Sequence, residues 1–183
     1  MAQPLPKPWT VAEFLDWERQ QPERYEFVDG VIRMMTGGTN RHSAIKLNVG
    51  TTLRSALRGR NCRAWADGPK VVTPVSGTYP DAVVTCGPTD FDDDRAENPV
   101  VIVEVLSRTT ADYDRGGKWV AYQGIASLQH YLLVSQDEPR VDVYTRDGAG
   151  WRLEVLTGLD AQIPLPAIDC VLSLTDVYEE VRF

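Results

Sequence analysis

The stretch Val100-Val-Ile-Val-Glu-Val-Leu106 determines the predicted fold. Every residue in it except Glu104 is apolar, which is typical of a central strand that is covered on both faces. Shorter extended stretches lie on either side of it along the chain, at residues 63–67, 70–74, 81–86, 130–134, 140–144 and 151–156. Strands interrupted by a few helices predict an α/β or α+β fold around one mixed β-sheet flanked by helices.

Local signals near the N-terminus predict a helix followed by a hairpin. Thr10-Val-Ala-Glu13 has the capping-box pattern and begins the helix, which Pro22 ends. Asp29-Gly30 lies between two extended runs and favours a type I′ hairpin turn. Residues 1–8 are expected to form a Pro-rich leader, and residues 9–183 a single domain.

Two further helices are predicted in the interior of the chain. The second helix spans residues 41–58, because apolar residues recur there at helical spacing and form a buried stripe of Ile45, Val49, Leu53, Ala56 and Leu57. The third helix spans residues 115–124, with Asp112 or Asp114 as its N-cap.

Composition limits the class of protein. The chain has 183 residues, 43% of them hydrophobic, and a net charge of −7, which excludes a uniformly basic DNA-coating protein. Cys62, Cys86 and Cys170 are widely spaced and form no CxxC pair, so we expect neither a disulfide framework nor a cysteine zinc site. Unpaired cysteines indicate a reducing, cytoplasmic location. No apolar run reaches the roughly 18 residues that a membrane-spanning helix needs, so no membrane association is expected.

Two carboxylates are candidates for chemistry. Glu104 lies inside the apolar stretch, where an unpaired carboxylate costs several kcal/mol, so it must be protonated, paired or bound to a cation. Asp81 follows Pro80 and opens another strand. If the two strands are neighbours, the two carboxylates suit a hard cation such as Mg²⁺. The alternatives are a structural ion pair for Glu104 and a turn residue for Asp81.

Lys118 is the candidate cation. It lies four residues after Asp114 and four before Tyr122, so the three residues share one helix face. Lys118 either forms an exposed pair with Asp114, worth a few tenths of a kcal/mol, or orients a water and stabilises phosphoryl charge.

These residues resemble the PD-(D/E)xK nuclease superfamily, and within it the Uma-two type family of restriction endonucleases. The similarity lies in Pro80-Asp81, Glu104-Val-Leu-Ser107 and Asp114-Arg-Gly-Gly-Lys118, followed by Tyr122. The N-terminal part is similar as well, at Thr10-Val-Ala-Glu-Phe-Leu, Tyr25-Glu-Phe-Val-Asp-Gly30 and Arg41-His42. The motifs are short, but their order covers nearly the whole chain.

The resemblance implies a restriction-endonuclease-like fold and cleavage of DNA phosphodiesters with Mg²⁺ or Mn²⁺. Asp81 and Glu104 match the metal-binding carboxylates, and Glu26 an additional acidic residue. The main-chain carbonyl of Val105 is a further potential ligand. Lys118 matches the lysine that this family takes from the following helix. The position two residues after Glu104, where the superfamily has lysine, holds Leu106.

The basic residues of this acidic chain are concentrated in one segment, which is a candidate surface for DNA binding. Between Val31 and Ala66 there are seven basic residues and no acidic ones. Arg54 and Arg58 fall outside the apolar stripe and are expected to contact phosphates, unless they form an ordinary solvated helix face. Arg41 and His42 are further candidates at the start of the same helix. His42 could approach the active site, or equally be a structural or capping histidine.

The sequence therefore supports a metal-dependent DNA endonuclease, with homodimerisation plausible because cutting both strands needs two sites. Two alternatives remain open. One is a catalytically inactive nuclease-fold module that binds nucleic acid or protein, which Leu106 and the acidic charge favour. The other is a metal-dependent hydrolase of another phosphoester.

Overall fold

The computed structural model describes residues 9–183, so the predicted leader of residues 1–8 lies outside the described residues. The helices are α1 (Val11–Glu18), α2 (Asn40–Ala56), α3 (Ala111–Tyr113), α4 (Trp119–Gln123) and α5 (Leu174–Val177), with a π-helical turn at Asp114–Lys118 and a 3₁₀ turn at Pro166–Ile168. The strands are β1 (Tyr25–Val28), β2 (Val31–Met34), β3 (Cys62–Ala66), β4 (Val71–Thr73), β5 (Ser76–Thr78), β6 (Ala82–Cys86), β7 (Pro99–Val105), β8 (His130–Val134), β9 (Arg140–Asp147), β10 (Gly150–Thr157), β11 (Gln162–Leu165) and β12 (Cys170–Ser173).

A six-stranded mixed sheet lies at the centre of the fold, in the order β10-β9-β8-β7-β6-β3. Strands β7 and β8 are parallel, and the other neighbours are antiparallel. The prediction of a central strand at 100–106 is confirmed, because β7 lies between β6 and β8 and is buried on both faces. The mixed α/β class flanked by helices is also confirmed.

The two faces of β7 belong to different cores. Val101, Val103 and Val105 pack with α2, α5, β11 and β12. Ile102 and Leu106 pack in the opposite core, with Tyr122, Leu128, Tyr131 and Leu133. Because strand side chains alternate with period two, Glu104 lies on the same face as Ile102 and Leu106. Its carboxylate is therefore directed to the side of the sheet that contains Tyr122 of α4.

A second sheet of four strands, in the order β2-β1-β5-β4, carries α1 on its surface. The predicted capping box is present, with Glu13 N–H donating to Thr10 Oγ1 at 3.2 Å. Asp29 and Gly30 have φ values of 47° and 83°, the positive angles that a type I′ turn requires at both positions. The hairpin prediction is confirmed, and α1 ends at Glu18, before Pro22.

The third helix differs most from its prediction. Helical structure begins at Ala111, after Thr110, so neither Asp112 nor Asp114 is the N-cap. Asp114 instead lies in the wider π-helical turn and is buried. The short elements β5, β11, β12 and α5, each of three or four residues, were not predicted.

The expectation that the cysteines stay unpaired is wrong. Cys62 and Cys86 form a disulfide between β3 and β6, and Cys170 is free and buried. The physical reason is register: Cys62 and Cys86 are direct cross-strand partners, which a separation of 24 residues does not reveal. This disulfide removes the cysteine argument for a cytoplasmic location, which stays an untested prediction.

Among the helices of residues 9–183, none is both long and apolar enough to span a membrane.

Candidate active site

Glu104 and Lys118 form the centre of a buried polar cluster. Lys118 Nζ donates to Glu104 Oε1 at 3.1 Å, and the hydroxyl of Tyr122 donates to the same oxygen at 3.2 Å. Tyr122 OH lies 2.8 Å from Thr78 Oγ1 in β5. The sequence placed Lys118 and Tyr122 on one helix face, and the structure directs that face to the buried carboxylate of β7.

Glu26 reaches the same ammonium from the second sheet. Its Oε1 lies 3.0 Å from Lys118 Nζ and accepts the main-chain N–H of Tyr79 at 2.8 Å. The helical segment approaches β1 closely at Gly117, where an added Cβ would lie only 3.2 Å from Val28 Cγ1. The absence of a side chain at position 117 thus lets Lys118 lie beside Glu26.

The π-helical turn adds a third carboxylate. Asp114 Oδ1 lies 3.3 Å from Lys118 Nζ, and the main-chain carbonyl of Asp114 accepts from Tyr131 OH at 3.0 Å. Side chains of Asp114 and Lys118 are only 3% and 5% exposed. The alternative of an exposed Asp114–Lys118 pair is therefore excluded. π-Helical turns occur frequently at functional sites.

The cluster holds more negative than positive charge. Burial raises the pKa of Glu104 well above its ordinary value, and nearby carboxylates including Asp114 and Asp81 raise it further. Burial also raises the pKa of Asp114. Burial alone would lower the pKa of Lys118, but Glu104 and Glu26 overcome that effect and raise it well above its ordinary value. Three carboxylates thus share one ammonium in a poorly solvated volume.

Asp81 lies beside the cluster, at the adjacent strand end. Ala82 pairs with Val103, so Asp81 just precedes and Glu104 just follows this pair of the β6–β7 ladder. Asp81 Oδ2 accepts the main-chain N–H of Val105 at 2.7 Å. The structure thus brings together Asp81 and Glu104 at one end of the sheet, as the sequence suggested.

His42 contacts the site from the first turn of α2. Its Nε2 lies 2.9 Å from Asp81 Oδ1, and both side chains are only about one-seventh exposed, at 14% and 16%. The N-cap of α2 is Thr39, whose hydroxyl accepts from His42 N–H, so His42 is not the capping residue of this helix. His130, predicted to be structural, is buried at the start of β8, with Nδ1 at 3.2 Å from Thr145 Oγ1.

The candidate DNA-binding arginines are spread along α2. Arg41 is adjacent to His42 and lies 4.0 Å from Asp137. Arg54 is exposed twelve residues after His42, which is about 18 Å along a helix at 1.5 Å per residue. Arg58 is exposed just after the helix ends. The structure therefore confirms that Arg54 and Arg58 are exposed, but it separates both of them from the carboxylate cluster.

The donor set fits a magnesium-type ion better than a transition-metal cage. Across residues 9–183, no three His, Cys, Asp or Glu side chains are arranged to enclose a metal ion. Mg²⁺ does not need such a cage, because it usually binds through one or two carboxylates and keeps several waters. Asp81 and Glu104 supply two carboxylates, and the like charges that raise the pKa of Glu104 would be offset by a cation there.

A cavity of about 350 Å³ lies apart from this cluster, and none of Glu26, Asp81, Glu104 and Lys118 lines it. Its walls include the aromatic rings of Trp65, Tyr79 and Phe91, together with Arg24, Arg95 and the acidic residues Asp90, Asp93, Asp94 and Glu97. Acidic side chains outnumber basic ones in this lining, which disfavours a phosphate ligand.

Comparison with known proteins defines the class. The structure matches a crystal structure from Anabaena variabilis ATCC 29413, described as a "putative nuclease belonging to DUF820", with a TM-score of 0.69 and 24% identity over 93% of this chain and 97% of that one. The fold is therefore of this nuclease type. Residues 11–175 match the Uma2 family, described as "Putative restriction endonuclease". The chain belongs to the Uma2 family, as the sequence motifs indicated.

Two proteins of Synechocystis sp. are similar along most of their length. The "Uncharacterized protein slr1290" is 34% identical over 183 residues, which cover 98% of this chain and 96% of that protein. The "Uncharacterized protein sll1609" is 32% identical over 160 residues, which cover 84% of this chain and 90% of that protein.

Sequence reasoning missed two residues of the cluster region. Asp114 was quoted in the family motif and placed on the helix face of Lys118, but it was assigned no role in the site. Gln136 was not considered: it lies between β8 and β9, with its Nε2 at 3.3 Å from His42 Nδ1. Nothing in the local sequence distinguishes Gln136 from an ordinary loop residue.

Proposed function

We propose that this protein is a DNA endonuclease that depends on Mg²⁺ or Mn²⁺ and hydrolyses phosphodiester bonds at the site formed by Asp81, Glu104 and Lys118. The observation that carries the proposal is the contact of Lys118 Nζ with Glu104 Oε1 at 3.1 Å, next to Asp81, in a member of the Uma2 family. A cation-binding pair of carboxylates beside an ammonium is the arrangement that phosphodiester hydrolysis needs.

Each residue has a definite part in this proposal. Asp81 and Glu104 would hold the ion, together with the main-chain carbonyl of Val105. When bound, such an ion supplies a Lewis acid that polarises a phosphoryl oxygen. Lys118 offsets the negative charge that develops on the phosphate, or holds the attacking water. Glu26 keeps the ammonium in place through its 3.0 Å contact.

The proposal also accounts for an otherwise costly cluster. Three buried carboxylates around one ammonium contribute little to the stability of a fold, because a buried ion pair often stabilises it no more than apolar side chains of similar volume would. A divalent cation held by Asp81 and Glu104 would neutralise the surplus negative charge.

Plasmid nicking tests the activity. Purified protein is incubated with supercoiled plasmid and Mg²⁺, Mn²⁺ or EDTA, and relaxed and linear products are quantified. We expect cleavage with either metal and background levels with EDTA. Asp81→Asn and Glu104→Gln should each abolish cleavage. Cleavage that survives both substitutions would contradict the proposal, and DNA binding with no cleavage under any divalent ion would favour the inactive nuclease-fold module.

The chain contains a matched control for Glu104→Gln. Glu18 is also buried and accepts from a buried lysine, Lys70, at 2.9 Å and from the hydroxyl of Tyr79 at 2.8 Å. Glu18→Gln therefore removes the same kind of carboxylate from the same kind of contacts outside the proposed site. We expect Glu18→Gln to retain nicking per folded molecule, whereas Glu104→Gln does not.

DNA binding by the basic surface is a separate part of the proposal. Arg54 and Arg58 are exposed, and we propose that they contact phosphates. Replacing either with Gln should weaken DNA affinity for all sequences and reduce the salt dependence of binding by about one unit of slope. Arg152→Gln, which removes another exposed arginine on β10, serves as the control. Equal affinities in all three variants would contradict this surface. Homodimerisation stays a prediction.

A further inference from the structure

Gln136 connects three parts of the fold beside the carboxylate cluster. Its side-chain nitrogen Nε2 donates to the main-chain carbonyl of Leu106 at 2.6 Å and lies 3.3 Å from His42 Nδ1. Its oxygen Oε1 accepts from the hydroxyl of Thr39 at 2.9 Å. The amide thus joins the end of β7, the first turn of α2 and the loop between β8 and β9.

These contacts determine which nitrogen of His42 carries the proton. A main-chain carbonyl can only accept, so the NH₂ group of Gln136 must face Leu106. The second hydrogen of that NH₂ group then points at His42 Nδ1, which must accept it. A neutral imidazole that accepts at Nδ1 carries its proton at Nε2. His42 Nε2–H therefore donates to Asp81 Oδ1 at 2.9 Å.

Asp81 is consequently held at both carboxylate oxygens. Oδ1 accepts from His42, and Oδ2 accepts from the main-chain N–H of Val105 at 2.7 Å. Each carboxylate oxygen has a further lone pair, so both contacts leave capacity for a cation. The carboxylate cannot rotate without losing at least one of them.

We propose that Gln136 and His42 are positioning residues for Asp81: the Gln136 amide holds the His42 ring through Nδ1, and the Nε2–H of that ring orients the Asp81 carboxylate for a divalent cation. This inference rests on the proposed function, because it assigns the two residues to the same metal site. Partners that orient a ligand in this way commonly affect metal affinity on the order of 10-fold to 100-fold when they are replaced.

The tautomer is measurable directly, because the chain has only two histidines. Long-range ¹H–¹⁵N correlation spectra of the ¹⁵N-labelled full chain at about pH 8 distinguish Nε2–H from Nδ1–H imidazole. The variant His130→Gln assigns the remaining signals to His42. We expect the Nε2–H pattern for His42 in the wild type, because the Gln136 amide at Nδ1 and the Asp81 carboxylate at Nε2 both require it. An Nδ1–H pattern for His42, or averaged nitrogen shifts, overturns the proposal.

Metal affinity provides the second readout, with Mn²⁺ as the probe and free Mn²⁺ counted by electron paramagnetic resonance. We expect Gln136→Met to weaken Mn²⁺ binding by about 10-fold or more, and Asp81→Asn to abolish it. Gln129→Met is the matched control, because Gln129 is also half-buried and its amide donates to Ser127. It should bind Mn²⁺ as the wild type does.

The outcomes separate the two hypotheses. Loss of Mn²⁺ binding in Asp81→Asn with unchanged binding in Gln136→Met overturns the positioning role and leaves the proposed function standing. Unchanged binding in both variants overturns the metal site, and with it both proposals. His42→Asn checks the result independently of Gln136, and it should weaken Mn²⁺ binding to a similar extent if the imidazole is the group that orients Asp81.

Discussion

Replacing Lys118 with Met tests whether its ammonium compensates the buried carboxylates. Met keeps most of the length of the side chain but removes the charge that contacts Glu26, Glu104 and Asp114 at 3.0, 3.1 and 3.3 Å. The simplest way for the folded variant to recover is to protonate one carboxyl group. Protonation costs about 1.4 kcal/mol for each pH unit above an ordinary glutamate pKa of about 4.3.

The expected loss therefore depends on pH. At pH 7 the free energy of unfolding should fall by about 3–4 kcal/mol, which agrees with the range for removing one partner of a buried ion pair. At pH 5 the loss should be about 1 kcal/mol. The sign follows from the effect of Lys118 on Glu104: the ammonium lowers the pKa of this carboxyl group against the effect of burial, so removing the ammonium raises the pKa of Glu104 further. Its protonated form stabilises the fold below the unfolded pKa, and that contribution is lost as the pH rises toward the folded pKa.

Urea denaturation between pH 5 and pH 8, followed by the fluorescence of the five tryptophans, measures the loss in free energy of unfolding at each pH. Lys46→Met is the control, because Lys46 pairs with the exposed Asp67 at 3.4 Å and should change stability by less than about 1 kcal/mol. A loss below 1 kcal/mol at pH 7 for Lys118→Met, or an equal loss at pH 5 and pH 7, would refute the reasoning. The ammonium would then not be neutralising buried carboxylates.

Three further predictions concern stability outside the cluster. Burial lowers the pKa of His130 to about 4. The free energy of unfolding should therefore decrease by about 3 kcal/mol as the pH falls from 6.5 toward 4. Urea titrations of His130→Gln should lack this decrease. Thr10→Ala removes the capping contact with Glu13 and should lower the free energy of unfolding by about 1 kcal/mol. An unchanged urea midpoint would contradict this prediction. Replacing both Cys62 and Cys86 with Ser should lower the free energy of unfolding by about 2–4 kcal/mol. Adding a reductant to this variant should then leave its urea midpoint unchanged.

Features of the fold that depend on a few neighbouring residues were predictable from the sequence. The capping box at Thr10 and the turn at Asp29-Gly30 each depend on backbone geometry within four residues, and both form as expected. The apolar run around Glu104 likewise identifies β7, because only a strand covered on both faces needs apolar residues at nearly every position.

Features that depend on strand register or on distant loops were not predictable. The disulfide requires Cys62 and Cys86 to be opposite one another in the β3–β6 ladder, and the sequence alone does not specify that register. Gln136 reaches His42 across 94 positions of the chain, and a glutamine in a loop carries no local signal. Lys118 was found only because the family resemblance and the helical spacing both indicated it.

The geometry of β7 explains how Leu106 and Lys118 are compatible with one site. Residues 104 and 106 lie on the same face of the strand, so a lysine at position 106 would reach the carboxylate of Glu104 along the strand. In this chain Leu106 instead packs in the apolar core with Tyr122 and Tyr131. The helical segment that crosses this face supplies the ammonium, with Lys118 Nζ at 3.1 Å from Glu104. An ammonium from the helix can thus occupy the position beside the carboxylate while the strand remains apolar.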